Sequence, residues 1–197
     1  FDLSGVLDKT HRFNSRWLLG DRVQVERGIW LNDAQSTPEL PEASGMVLNL
    51  PPLDGEAWLG LLAGSSEAQA GSGYLPGNII LRTPSLTLAG QQWRDLEATI
   101  SENVSGSTMI QAQGREVRGT LTMPQHAAWR ARFSYLYYNP QFAAGSGNKA
   151  DSPFPAESTT IDFSRWPQLA ITCDECWLRG QKFGRIQADL TPANDTL

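Results

Sequence analysis

Two stretches of the chain superimpose at an offset of ninety residues without a gap, and this correspondence narrows the possible folds more than any single motif. LRTPSLTLAGQQWRDLEATIS, from Leu81, sets Leu88 against Leu178, Gly90 against Gly180, Gln91 against Gln181 and Trp93 against Phe183 in ITCDECWLRGQKFGRIQADLT, from Ile171. Leu96, Ala98 and Ile100 then meet Ile186, Ala188 and Leu190. Each copy reads as a strand, a turn at Gly-Gln and a returning strand, which gives repeated hairpin units over about 80–101 and 170–191. A weaker echo links SGMVLNLP, from Ser44, with RGTLTMP, from Arg118. Repeated supersecondary units bury their apolar faces only against neighbours, so the pattern predicts an elongated array of hairpins.

Alternation of period two runs through most of the chain. Val23 and Val25 alternate with Arg22, Gln24 and Glu26. In WRARFSYLYY, Trp129, Ala131, Phe133, Tyr135 and Tyr137 fall on one face of a strand, and Arg130, Arg132 and Ser134 fall on the other. Val117, Leu121 and Met123 share a face opposite Thr120 and Thr122. Such strands are half-buried and belong to an antiparallel sheet with one solvated side. The expected architecture is therefore mainly β: an elongated, curved antiparallel sheet forming an open groove, within a single fragment spanning residues 1–197. One short helix is expected at about 54–64, with Asp54 as N-cap, Leu53 stapled onto Trp58, and Gly64 as the stop. Residues 65–73 and 143–153 read as loops.

Charge narrows the function classes. Sixteen basic residues against twenty-one acidic ones give a net charge of −5, which speaks against nucleic acid as a partner, since that needs clustered Lys and Arg. No run of about eighteen apolar residues offers a membrane-spanning helix. The sequence reads as an excised piece of a longer protein whose anchor or targeting segment lies elsewhere.

Cys173 and Cys176 are the two cysteines of the chain. Residues three apart on a regular strand lie about 10 Å apart, whereas a disulfide needs Cα atoms within about 7 Å. A bridge therefore requires a turn or bulge at Asp174 and Glu175. Pro84, which aligns with Asp174, supports a break there because it cannot donate to a ladder. Acidic neighbours and a following strand disfavour a reactive thiolate. A zinc site would need two further ligands, and His11 and His126 stand alone in the sequence. A structural disulfide closing a tight turn is the expectation, with no metal and no cofactor.

No GxSxG, HExxH, P-loop or GxGxxG is present, so no enzyme is expected. Of the seven tryptophans, Trp58 and Trp129 read as core, while Trp17 and Trp30 sit in polar contexts that suit a surface groove.

VERGIWLND…ASGMVLNLPPLDGEAWLGLL resembles the YhdP family of AsmA-like proteins of Gram-negative bacteria, as does WPQLAITCDECWLRGQKFGRIQADL later in the chain. The resemblance implies a periplasmic segment of an inner-membrane-anchored protein. It also implies a long β-groove that carries phospholipids between the inner and outer membranes. The implied partners are phospholipid acyl chains and the remainder of the same long chain with its membrane anchor. Leu86, Leu88, Leu96, Ala98, Ile100, Leu178, Ile186, Ala188 and Leu190 are the expected groove lining. The competing expectations are a carbohydrate- or ligand-binding β-sandwich that uses exposed tryptophans, and a β-scaffold hydrolase with converged carboxylates.

Overall fold

Alternating apolar and polar residues become pleated strand throughout the described chain. The structure is a computed structural model that describes residues 1–7, 9–21, 23–55, 76–102, 106–141 and 168–191. Twelve strands appear: β1 (Asp2–Leu7), β2 (His11–Leu19), β3 (Val23–Leu31), β4 (Gly45–Asn49), β5 (Leu53–Asp54) and β6 (Asn78–Leu88). They continue as β7 (Gln91–Glu102), β8 (Thr108–Gln113), β9 (Val117–Met123), β10 (Trp129–Tyr138), β11 (Leu169–Leu178) and β12 (Gln181–Leu190). All belong to one open sheet in the order β1-β2-β3-β4-β6-β7-β8-β9-β10-β11-β12, with β5 beside β6. The helix expected at 54–64 lies almost wholly outside the described residues, as does Trp58. Leu53 and Asp54 form the short strand β5, and Gly55 after them is helical and buried.

Seven ladders are antiparallel, and β3–β4, β4–β6, β5–β6 and β10–β11 are parallel. The parallel pairings follow the long connections, because a parallel neighbour needs a crossover of about a dozen residues or more. The connection over residues 32–44 crosses on the polar side of the sheet. Arg12 Nε donates to Ala34 O, Asn14 Nδ2 to Pro38 O and Arg27 Nη1 to Pro41 O. The two aligned hairpins turn alike. Ala89 and Gly90 have φ of 55° and 71°, and Arg179 and Gly180 have φ of 50° and 77°. Two successive left-handed residues match the right-handed twist of the flanking strands. The turn therefore sits one residue earlier than Gly-Gln.

A line of irregularities crosses the sheet at one level. The β4–β5 chain breaks at Pro51 and Pro52 beside Pro84 of β6, and Asp95 of β7, opposite Pro84, has φ 49°. The β8–β9 hairpin ends there at residues 114–116. β10 shifts register between Phe133 and Tyr135, and β11 between Cys173 and Cys176. On β12, Gly184 takes φ 75°. Bulges leave a residue unpaired, bend the strand and re-aim the side chains beyond it. Along β10 this corrects the simple alternation. Trp129, Ala131 and Phe133 share the apolar face, but Tyr135 and Tyr137 turn to the other side with the arginines. Arg118 lies over the Tyr135 ring, and Tyr137 packs on Trp177. Leu136 and Tyr138 take their place on the apolar face.

Gly119 on β9 is packed against β10. A Cβ there would collide with the carbonyl oxygen of Arg132 and lie 2.5 Å from Cδ1 of Phe133. Gly119→Ala should lose about 1–3 kcal/mol through overpacking, read as a lower midpoint in thermal unfolding followed by the β signal in circular dichroism.

Candidate functional site

Register carries one side chain of each strand into line with the next. One row runs Gly5, Phe13, Trp30, Leu48, Leu81, Ala98, Ala112, Gly119, Phe133, Cys173 and Ile186. Two residues along each strand, a second row runs Leu3, Ser15, Gly28, Met46, Ile79, Ile100, Ile110, Leu121, Ala131, Ile171 and Ala188. The residues between them face the other way: Ser4, Asn14, Ile29, Val47, Ile80, Thr99, Gln111, Thr120, Arg132, Thr172 and Gln187. No Asp, Glu, Lys or Arg enters either apolar row. The ion pairs Arg16–Asp2 and Arg82–Glu97 form on the opposite face.

The few polar atoms on the apolar face are mostly tied internally. Ser15 Oγ donates to Leu3 O and accepts from Trp17 Nε1. Thr83 Oγ1 donates to Pro51 O. Trp30 Nε1 is buried with no hydrogen-bond partner among the described residues.

The nine expected lining residues all fall on this face, spread along it rather than gathered into a pocket. Ala98, Ile100, Ile186 and Ala188 stand in the two rows. Leu96 pairs with Thr83, and Leu190 with Leu169, at the flanking levels. Leu86, Leu88 and Leu178 lie beyond the line of bulges, where alternation alone would turn them to the polar side. They are returned by the parity change. The bond from Cys173 to Cys176 puts both cysteines on one side, and Leu178 follows two residues later. Tyr138, the register partner of Leu178, stacks on Trp93, which pairs with Leu86. The expected lining left out Phe13, Leu48, Leu81, Ile110, Leu121, Phe133 and Ile171, which carry the same alternation, although Leu81 and Ile171 are themselves the first aligned pair of the repeat. Trp17 and Trp30, expected at a surface groove, belong to the face.

Ala98 and Ala131 are buried, but most of the row is only half-buried. Among the described elements each strand packs chiefly on its neighbours in the sheet. No second described layer covers the apolar rows.

Upper β7 and upper β10 converge beyond the short β8–β9 hairpin, and polar groups close the gap. Glu116, 5% exposed, accepts from Arg94 N and Arg94 Nε, both at 2.7 Å, while its own carbonyl accepts from Tyr137 N. Gln91 Nε2 donates to Tyr137 O and its Oε1 accepts from Asn139 N. The Tyr138 hydroxyl donates to Ala89 O, and burial pushes the phenol above its ordinary pKa. Glu116→Ala would strand the Arg94 amide at a cost of about 1–3 kcal/mol. Glu116→Gln keeps an acceptor and should cost less, a difference that urea unfolding of the two variants will show.

Cys173 and Cys176 form a disulfide with Cα atoms 5.9 Å apart. Strand β11 runs through the bridge, so the break is a bulge within one strand, not the expected tight turn before a new one. The cysteines are 1% and 3% exposed on the apolar face. Glu175 emerges on the opposite side, where Lys182 and then Trp177 donate to it and hold its carboxyl below the usual range. Intact-mass measurement without reductant should find no alkylatable thiol. A Cys173→Ser, Cys176→Ser double variant should fold with a loss no greater than about 2–4 kcal/mol, since the loop is short.

Among the described residues no three His, Cys, Asp or Glu side chains converge to hold a metal ion. No helix among them is long and apolar enough to cross a membrane.

The family described as YhdP protein matches the chain over residues 1–197. The intermembrane phospholipid transporter YhdP of Escherichia coli (strain K12) is 45% identical over 199 residues, which is 100% of this chain and 16% of that protein. The chain thus spans about a sixth of the length of the curated relative it matches. No solved structure matches the chain significantly.

Proposed function

The chain belongs to the YhdP protein family, and from that premise we propose that its apolar sheet face is one stretch of a path for phospholipid acyl chains between two membranes. The observation that carries the reading is the pair of rows crossing eleven strands without a charged side chain. Neighbouring strands lie about 4.8 Å apart, so each row is about 48 Å long. The hydrocarbon core of a whole bilayer is about 30 Å thick. One fragment therefore accommodates more than a single lipid in series. Each methylene kept from water is worth about 0.8 kcal/mol, so a lipid needs such an unbroken lining to leave its membrane. Headgroups would stay at the open side in water.

Among the described residues the rows are open at both ends. Leu3, Val6 and Leu7 on β1 and Phe183 and Leu190 on β12 are exposed along unpaired edges. A finished sheet blunts such edges, and these suit a sheet that is continued by further chain. We read the hairpins β6–β7 and β11–β12 as repeated units of that longer groove. The location that goes with this reading is the periplasm, in a protein anchored at the inner membrane. An oxidising compartment also suits the disulfide. No catalytic role is proposed. A β-sandwich would stack a second sheet about 10 Å away, whereas all twelve described strands share one sheet.

Leu96→Asp and Ile186→Asp in the full-length protein should slow phospholipid exchange between the membranes by at least about tenfold. An unpaired charge in an apolar lining costs several kcal/mol, and about 1.4 kcal/mol is a factor of ten. Arg130→Asp and Arg132→Asp, on the polar face, should be tolerated. Pulse-labelled lipid followed into the second membrane is the readout. Equal transfer in all four folded variants would remove the apolar face as the path.

A further inference from the structure

At the tip of the β11–β12 hairpin a cation and several apolar side chains line one cavity. Arg179, with Tyr138, Pro140, Leu178, Gln181 and Phe183, lines a cavity of about 590 Å³. Arg179 is the one charged residue in that lining. The nearby ion pairs are Lys182–Glu175 and Arg185–Asp174, and among the described residues Arg179 has none. Its backbone is fixed by the turn: φ is 50° and its N–H donates to Tyr138 O at 2.8 Å. A left-handed residue other than glycine is unfavourable for an arginine, so the position is a costly one for a long cation. The aligned turn of β6–β7 carries Ala89 instead, and the ring of Tyr138 reaches over to bond that turn's carbonyl. Phe183, the extra residue of the β12 bulge, is 57% exposed and lines the cavity rather than packing in the sheet.

We infer that this cavity is an anchoring site for the phosphate group of an acyl lipid. It rests on the lipid-path reading above and adds to it a point of attachment at the margin of the face. A planar guanidinium engages phosphate oxygens bidentately, and the carboxamide of Gln181 supplies a further donor. Leu178, Phe183 and the ring of Tyr138 then meet the glycerol and the first methylenes. The scale fits. Cys173 and Cys176 have Cα atoms 5.9 Å apart, and three further residues at about 3.3 Å each put Arg179 about 16 Å from Cys173, against about 15 Å for half a bilayer core. Tails hung from Arg179 run past Cys176 towards the apolar rows.

The test places a photo-crosslinking residue at position 183 of the full-length protein in cells, with a second version at Ala98 as reference, and analyses the captured lipids by mass. Phosphate-bearing lipids should be captured at position 183, several-fold less in Arg179→Ala and to an intermediate degree in Arg179→Lys, which keeps the charge but not the paired donors. Capture that persists in excess inorganic phosphate on isolated membranes supports a lipid headgroup as the source. Inorganic phosphate bound in an Arg179-dependent way, with no lipid captured at position 183, assigns the cavity to the free anion and overturns the anchor. Capture at Ala98 with none at 183, or labelling at 183 unchanged by Arg179→Ala, also overturns the anchor while leaving the path intact. Lipid absent from both positions removes the path itself.

Discussion

A sheet that keeps one face apolar over eleven strands constrains where its strands change parity. Side chains alternate with period two, so a single extra residue turns everything beyond it to the wrong side. On β6, β7, β10, β11 and β12 the changes lie at a common level, while β3 carries its own shift at its other end, where Glu26 is passed over between Arg27 and Val25. Pro84 and Asp95 face one another across β6 and β7, and Cys173–Cys176 and Gly184 do so across β11 and β12. Because the irregularities are shared between neighbours, Leu86 and Leu178 return to the side occupied by Leu81 and Ile171.

The devices that hold this level differ from strand to strand. On β6 a proline removes a ladder donor. Between β7 and β10 the buried carboxylate of Glu116 takes over from the missing ladder and satisfies two donors of Arg94. On β11 the disulfide ties the residues either side of the bulge. A covalent tie across so short a loop removes little entropy from the unfolded chain. Its effect is to fix which side Cys176 and Leu178 present. The aligned hairpin reaches the same shape with Thr83 and Leu86, Thr83 being anchored on Pro51 O instead.

What was legible in the sequence was local. Strand alternation placed Leu96, Ala98 and Ile100 on one face because β7 is regular there. The spacing of Cys173 and Cys176 demanded a break because strand rise and disulfide reach conflict. Tyr135 and Tyr137 were assigned to the wrong face because the bulge before them leaves no composition signal in WRARFSYLYY. The parallel pairings of β4 with β3 and β6 were hidden, since partner choice after a long connection is decided by non-local contacts. Glu116, in the turn sequence GREV, reads as an ordinary solvated acid. Only the convergence of β7 and β10 gives it a buried role.

The glycines of the first apolar row have a further effect. Gly5 lies under the ring of Phe13, where a Cβ would come within 2.8 Å of Cε1, and Gly119 lies in the same way beneath Phe133. In both places a phenyl ring reclines over bare backbone on the adjacent strand instead of standing upright from the sheet. Two of the bulkiest groups on the floor are thereby kept low. An alkyl chain moving across strands would meet shallow undulations rather than posts, and the energy landscape for its sliding would be correspondingly smooth. Mobility along the face would then depend on surface relief as much as on hydrophobicity, with glycine setting the height of its neighbours.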